Sequence, residues 1–283
     1  MKRLLSMAAT GLMCGAMIMG ASGVAGASSN TIRLNVGQPG GPLVRAPGHG
    51  GEVTISENWS GYAATTKSRF TSVHGTFIQP TIKCTGAPHQ WTSNWVGLDG
   101  FADQTVEQDG TFATCGGPDH MTPRYTAWYE MFPAGSVPVF SVNPGDIMDM
   151  SVNFNSSGQF VLTDSDLTSG KSHTFTATCA SCSRSSAEWI IERPATCNSS
   201  LTKCVLTALV NFGTSTMSAS TASLTGGPVK NIGNFNKSPI FMVQPIKRGF
   251  ISLDTVSALS GPSFTARWDR SGTPIPIQLG PKH

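Results

Sequence analysis

From Trp59 onward the chain alternates apolar and polar positions in short runs bounded by Gly, Pro, Asn, Asp and Ser. Such a period of two places alternate side chains on one face of an extended chain. It predicts strands at Phe70 to Ile78, Trp95 to Phe101, Tyr125 to Phe132, Ile147 to Phe154 and Phe160 to Leu162. Further strands are predicted at Thr174 to Thr178, Trp189 to Ile191, Val205 to Phe212, Ile240 to Val243 and Phe264 to Trp268. No long segment of period 3.6 occurs outside the N-terminal region. The recurring spacing and β-branched content predict an all-β fold, a two-sheet sandwich. No internal repeat or composition break divides it.

The N-terminus has a different pattern. Lys2 and Arg3 precede a small, apolar stretch from Leu4 to Met19, and Ala25-Gly26-Ala27 is a small-residue cleavage sequence. Residues 1–27 therefore read as a secretory signal peptide. No later run approaches the ~20 apolar residues that span a bilayer. Residues 28–51, rich in Pro and Gly, read as a flexible lead-in or short pro-segment, and 52–283 as one β-sandwich domain. A sandwich of about 200–250 residues is an ordinary single domain.

Export bears on the cysteines. Seven are present, and Cys14 lies in the signal segment. The remaining Cys84, Cys115, Cys179, Cys182, Cys197 and Cys204 are even in number, which in an exported chain implies disulfides. Their connectivity is open; the simplest pairing is local, Cys84–Cys115, Cys179–Cys182 and Cys197–Cys204. The Cys179-Ala-Ser-Cys182 spacing also admits zinc, but it has no second Cys-x-x-Cys or paired histidines, so no metal is expected.

Charged residues make up only 12% and the net charge is +3. With no Lys/Arg run, nothing points to nucleic acid or a membrane. Few carboxylates also means few native ion pairs to lose in acid, so the composition is compatible with work at low pH.

Candidate chemistry centres on Ala187-Glu188-Trp189-Ile190-Ile191-Glu192. On a strand, Trp189 and Ile191 share one face and Glu188, Ile190 and Glu192 the other. Glutamates are depleted in strands, and a half-buried one has its proton affinity set by its surroundings. Other sites are absent: no Gly-x-Ser-x-Gly, no His-Glu-x-x-His, no P-loop, and no Asp-Thr-Gly. The six histidines are scattered. Asp164-Ser-Asp166 reads as a turn between strands, with calcium binding as its alternative. Glu192, followed by Arg193, reads as ion-paired or solvated. Taken alone, Gln108 between Glu107 and Asp109 reads as an exposed hairpin turn.

Five motifs occur in order: Asn58-Trp59-Ser60-Gly61-Tyr62, Trp95-Val96-Gly97-Leu98-Asp99-Gly100, Val106-Glu107-Gln108-Asp109-Gly110, Tyr125-Thr126-Ala127-Trp128-Tyr129-Glu130, and the Glu188 segment. This series resembles the glutamic peptidases, or eqolisins, and its signal peptide and insertions resemble a bacterial-type member. The resemblance implies a concanavalin-like, jelly-roll β-sandwich of two curved antiparallel sheets, with a catalytic pair, Gln108 and Glu188, in the concave cleft. It implies an acid-acting endopeptidase with no cofactor or metal. Trp59, Trp95 and Trp128 become candidate apolar substrate-binding positions, and Asp99 and Glu130 acidic cleft positions that orient the pair. The expected partners are polypeptide substrates, for a secreted monomer. An ionised Glu188 would take a proton from water and return it to the leaving amine, while the Gln108 amide stabilises the oxyanion. The rival readings are a glycoside hydrolase using Glu130 and Glu188, and a non-catalytic, lectin-like carbohydrate-binding protein.

Overall fold

A computed structural model describes residues 33–35, 44–48, 51–101, 103–197 and 203–277. The expected signal peptide lies outside these residues, as does the lead-in apart from two short strands, Arg33–Asn35 and Val44–Gly48. Among the described residues there is no α-helix, only the short 3₁₀ turn Ile232–Asn234. No helix among them is long and apolar enough to cross a membrane.

The strands used below are numbered along the chain: β1 Val44–Gly48, β2 Gly51–Ser56, β3 Trp59–Thr65, β4 Phe70–Ile78, β5 Gln90–Leu98, β6 Val106–Gly116, β7 Thr122–Phe132 and β8 Val137–Ser141. There follow β9 Ile147–Phe154, β10 Phe160–Asp166, β11 Lys171–Ala177, β12 Ser186–Glu192, β13 Thr214–Leu224, β14 Asn236–Ile246, β15 Asp254–Val256 and β16 Phe264–Trp268. One large sheet runs β1-β2-β14-β3-β12-β5-β6-β7-β8, and a second runs β11-β10-β9-β4-β13-β16-β15. Neighbours along these paths pair antiparallel except β2 with β14.

The period of two explains the layering. In β9, Met148, Met150 and Val152 point inward, and in β12 Ala187, Trp189 and Ile191 do. With Val96, Leu98, Phe160, Leu162 and Phe264 they form the core between the sheets. Alternate residues of the large sheet form a second apolar cluster on its other face, including Trp59, Trp95, Trp128 and Ile190. The strands of that sheet are thus buried on both faces. Such strands lose the plain apolar–polar alternation.

Two strands differ from the sequence expectation. Val106–Gly116 begins Val-Glu-Gln-Asp-Gly and looks like a turn, yet it is a central strand, with Gln108 fully buried inside it. Pairing to β5 and β7 on either side overrides weak propensity. Thr214–Leu224, rich in Ser and Thr, also forms a full strand, paired with β4 and β16. The expected strand Val205 to Phe212 is instead broken into Cys204–Leu206 and Ala208–Leu209.

Candidate active site

Strand register brings the five motifs into adjacent rows. Glu188 of β12 is paired with Ala63 of β3 and Gly97 of β5; Gly97 is paired with Gln108 of β6; Gln108 is paired with Glu130 of β7. Ala63, Glu188, Gly97, Gln108 and Glu130 thus lie in one line across five strands, on the face away from the inter-sheet core. The next row holds Gly61, Ile190, Trp95, Gly110 and Trp128, and the one beyond it begins Trp59, Glu192 and Ser93.

The motif glycines make this arrangement possible. At Gly110 a Cβ would lie 2.2 Å from the Asn94 carbonyl oxygen and 2.6 Å from Trp95 Cβ. At Gly61 (φ +126°) it would lie 2.2 Å from the Trp189 carbonyl oxygen. The indoles of Trp95 and Trp128 are therefore flanked by residues without side chains. At Gly97 a Cβ would lie 3.0 Å from Trp95 Cζ3 and 3.1 Å from Gln108 Cβ, so the glycine lets the Trp95 ring pack close beside the row. Two strand spacings separate Glu188 and Gln108, about 10 Å between their Cα atoms.

The row is electrostatically unusual. Glu188 is fully buried, and among the described residues no group hydrogen-bonds either of its carboxylate oxygens. Burial pushes its proton affinity well above the usual carboxylate range. The Ser186 hydroxyl opposes this, while the carboxyls of Asp99, Asp103 and Glu107 add to it. Glu130, also fully buried, is raised in the same way by burial and then by Glu192. Gln108 Nε2 donates to Glu130 Oε2 at 2.6 Å. That bond fixes the orientation of the amide.

Glu192 was expected to be solvated or paired with Arg193. It is instead fully buried and held by Asn58 Nδ2 at 3.0 Å and Trp95 Nε1 at 2.8 Å. The Arg193 side chain turns to the carbonyls of Glu57 and Thr273. Period two puts adjacent strand residues on opposite faces, which separates the two charges. Glu192 thereby anchors the Trp95 indole, which meets Trp59 edge-on at 5.0 Å between ring centroids. The Trp59 and Trp128 indole N–H groups are buried with no acceptor among the described residues. This anchoring by Glu192 was missed in the sequence; the signal for it was its parity with Glu188 on one strand.

Asp99 is not in the row. It sits in a left-handed turn (φ +69°) after β5, accepting from the Arg184 and Ser185 backbone N–H groups, both at 2.6 Å. It pins the entry to β12, the strand that carries Glu188. Glu107, on the opposite face of β6 from Gln108, is pushed up to about 10 by burial and then by Asp99 and Asp103. Asp164 and Asp166 differ from the turn expected for the pair. Asp166 does cap a turn, accepting from Thr168 and Ser169, but Asp164 is buried in the sandwich near Asp109.

Cys84–Cys115 and Cys179–Cys182 are disulfides. Cys204 is also disulfide-bonded, and strand pairing sets it opposite Cys197, whose side chain lies outside the described residues. Ligand atoms of Glu107, Cys179 and Cys182 lie within 4.8 Å of one another, but the disulfide removes the two thiolates that a metal would need.

The chain matches the Peptidase A4 family over residues 57–259. It is 31% identical to Scytalidopepsin B of Scytalidium lignicola over 166 residues, which cover 57% of this chain and 61% of that protein's length. In fold it is similar to scytalido-glutamic peptidase solved with a transition state analog inhibitor: TM-score 0.63, 22% identity, 75% of this chain and 98% of that one. Aspergilloglutamic peptidase from Aspergillus niger superposes with a TM-score of 0.51 at 25% identity, covering 64% of this chain and 99% of that one. The eqolisin β-sandwich is thus the fold of this protein. With five motifs of that family assembled on one face of its large sheet, the chain belongs to the Peptidase A4 family, the glutamic peptidases.

Proposed function

We propose that this protein is a secreted endopeptidase that hydrolyses peptide bonds in acid, with Glu188 as general base and acid and Gln108 as the oxyanion donor. One observation carries this reading: a fully buried carboxyl, Glu188, and a fully buried amide, Gln108, flank a glycine in one row. In its ionised form, the minority form in acid because burial raises its proton affinity, Glu188 takes a proton from a water held between it and Gln108. The hydroxide attacks the scissile carbonyl, and the Gln108 amide donates to the oxygen on which charge develops. Glu188, whose burial strengthens its hold on the proton, then delivers it to the departing amine. Excluding water from the row strengthens each of these interactions. The family relatives solved with a transition state analog and with a tripeptide support peptides as substrates.

The aromatic face favours the same reading. Trp59, Trp95 and Trp128 are fully buried in the rows beside Glu188 and Gln108, and we read them as the apolar lining of the substrate site. The glycosidase alternative fits poorly. Glu130 is two strands beyond Gly97, the partner of Glu188, and its carboxylate is taken up by the Gln108 amide at 2.6 Å. Gln108 would also fill the space between them.

Purified protein assayed on casein and on xylan from about pH 2 to 7, where carboxyl groups titrate, tests the proposal. Casein cleavage abolished by Glu188→Gln supports it; full cleavage by that variant, or cleavage of xylan, overturns it. We further propose export by the signal peptide, a monomer, and removal of the segment before about Gly51 on maturation. The family match begins at residue 57. The intact mass of secreted, active enzyme decides this last point: a mass beginning at Ser28 refutes removal.

A further inference from the structure

The carboxylates of this chain are unevenly placed. None occurs from Asn58 to Leu98, and none from Arg193 to Leu253. These two carboxylate-free stretches supply the walls of one cavity. It has a volume of about 540 Å³ and is lined by Thr65, Thr66, Lys67, Leu224, Lys230, Asn234, Phe235 and Asn236. Lys67 and Lys230 are both exposed, and among the described residues neither is within ion-pair reach of a carboxylate. Lys237, near the rim, turns its ammonium toward the Gly233 carbonyl at 3.4 Å, and Arg69 stands two residues beyond Lys67. Phe235, tilted against Phe70 at 5.5 Å, and Leu224 give one apolar wall. Asn236 Nδ2 donates to Thr65 Oγ1 at 3.2 Å and gives a polar one.

The position matters as much as the charge. Thr65 is two residues along β3 from Ala63, the partner of Glu188, and so points to the same face. Two residues of strand span about 7 Å. Leu224 and Phe235 pack against the inter-sheet core, so the cavity lies at the end of β3, where an extended peptide leaving the row past Thr65 would arrive two to four residues from the bond being cleaved.

Resting on the peptidase reading, we propose that this cavity is a specificity subsite for a substrate carboxylate, an acidic side chain or the peptide's own C-terminus. Lys67 and Lys230 attract the carboxylate, and Phe235 and Leu224 pack against the methylenes that carry it. A cavity of this size suits a peptide segment rather than a single ion.

Matched peptides carrying Glu or Gln at each position two to four residues either side of one scissile bond, with free or amidated C-termini, test the proposal. At about pH 5 the intact enzyme should favour the Glu peptide, or the free terminus, about three- to tenfold in kcat/KM at one position. Near pH 3 the preference should collapse, because the substrate carboxylate gains a proton. The double variant Lys67→Gln, Lys230→Gln should lose the preference at pH 5 and cleave the Gln, amidated peptide as the intact enzyme does. Equal cleavage of all peptides by the intact enzyme, or a preference that survives in the double variant, overturns the subsite and leaves the peptidase reading standing. Failure to cleave any peptide overturns both.

Discussion

Gly97 is the register partner of both Glu188 and Gln108, one on each neighbouring strand. The two candidate catalytic groups come from chain positions far apart, and a residue without a side chain stands between them.

That relationship makes Gly97→Ala informative. The new Cβ would sit 3.0 Å from Trp95 Cζ3 and 3.1 Å from Gln108 Cβ, both side-chain atoms that can shift slightly. We expect a folded protein with thermal unfolding lowered by a few degrees and peptide cleavage reduced at least tenfold, because the methyl enters the space of the attacking water. Gly110→Ala faces the Asn94 backbone at 2.2 Å and should fail to accumulate as folded protein. Undiminished activity in Gly97→Ala would refute this placement of the water.

The proposed catalytic pair predicts two losses of different size. Glu188→Gln removes the group that moves the proton and should lower kcat by about 10²–10⁴-fold. Gln108→Ala removes one oxyanion donor and should cost about 10²–10³-fold. Circular dichroism on each variant separates chemistry from misfolding. A Gln108→Ala enzyme with unchanged kcat would remove the oxyanion role.

Glu130 should act as a positioning residue. Its bond from Gln108 at 2.6 Å fixes the amide, so Glu130→Ala should lower kcat by about tenfold with little change in KM, on the scale of one lost hydrogen bond at a reacting group. Glu130→Gln keeps an acceptor in place and should recover most of the rate. If KM rises instead while kcat holds, Glu130 contacts substrate directly.

Stability should fall as pH rises. Burial raises Asp109 and Asp164 well above the carboxylate range, Asp254 to about 7 and Glu107 to about 10. His74, bonded to Asp149 at 2.9 Å, is raised also. Each group binds its proton more tightly folded than unfolded. Its stabilisation is therefore complete below the unfolded value and lost as pH climbs through the folded one. For Asp254 alone the loss between about pH 4 and 7 is on the order of 4 kcal/mol. Urea unfolding at about pH 4, 5.5 and 7 should give steadily lower midpoints, and a flat or rising series would contradict this account.

One facing pair of buried carboxyls should carry part of that slope. Asp109 on β6 and Asp164 on β10 face one another across the core, and the Asp164 carboxyl adds to the shift of Asp109. Asp164→Asn removes one ionisation and should raise the unfolding midpoint near pH 7 while changing it little near pH 4. A variant destabilised equally at both values would show that hydrogen bonding at Asp164, rather than its ionisation, matters.

The chain's own pattern determined the all-β class, because period-two alternation is local, and it put Glu188 and Glu192 on one strand face. The order of the five motifs singled out Gln108 and Glu188, and the even cysteine count implied disulfides. Tertiary structure alone decided how the two glutamates differ. Asn58, 134 positions away, and Trp95, 97 positions away, bind Glu192, while Glu188 is left without a hydrogen-bond partner among the described residues. It also decided that Gln108 lies in a buried strand rather than a turn, because β5 and β7 pair with it on either side. The proton affinities of the buried carboxyls are likewise set by neighbours from other strands. Local sequence fixes which way a side chain points along a strand; what it meets there depends on long-range pairing that no short window contains.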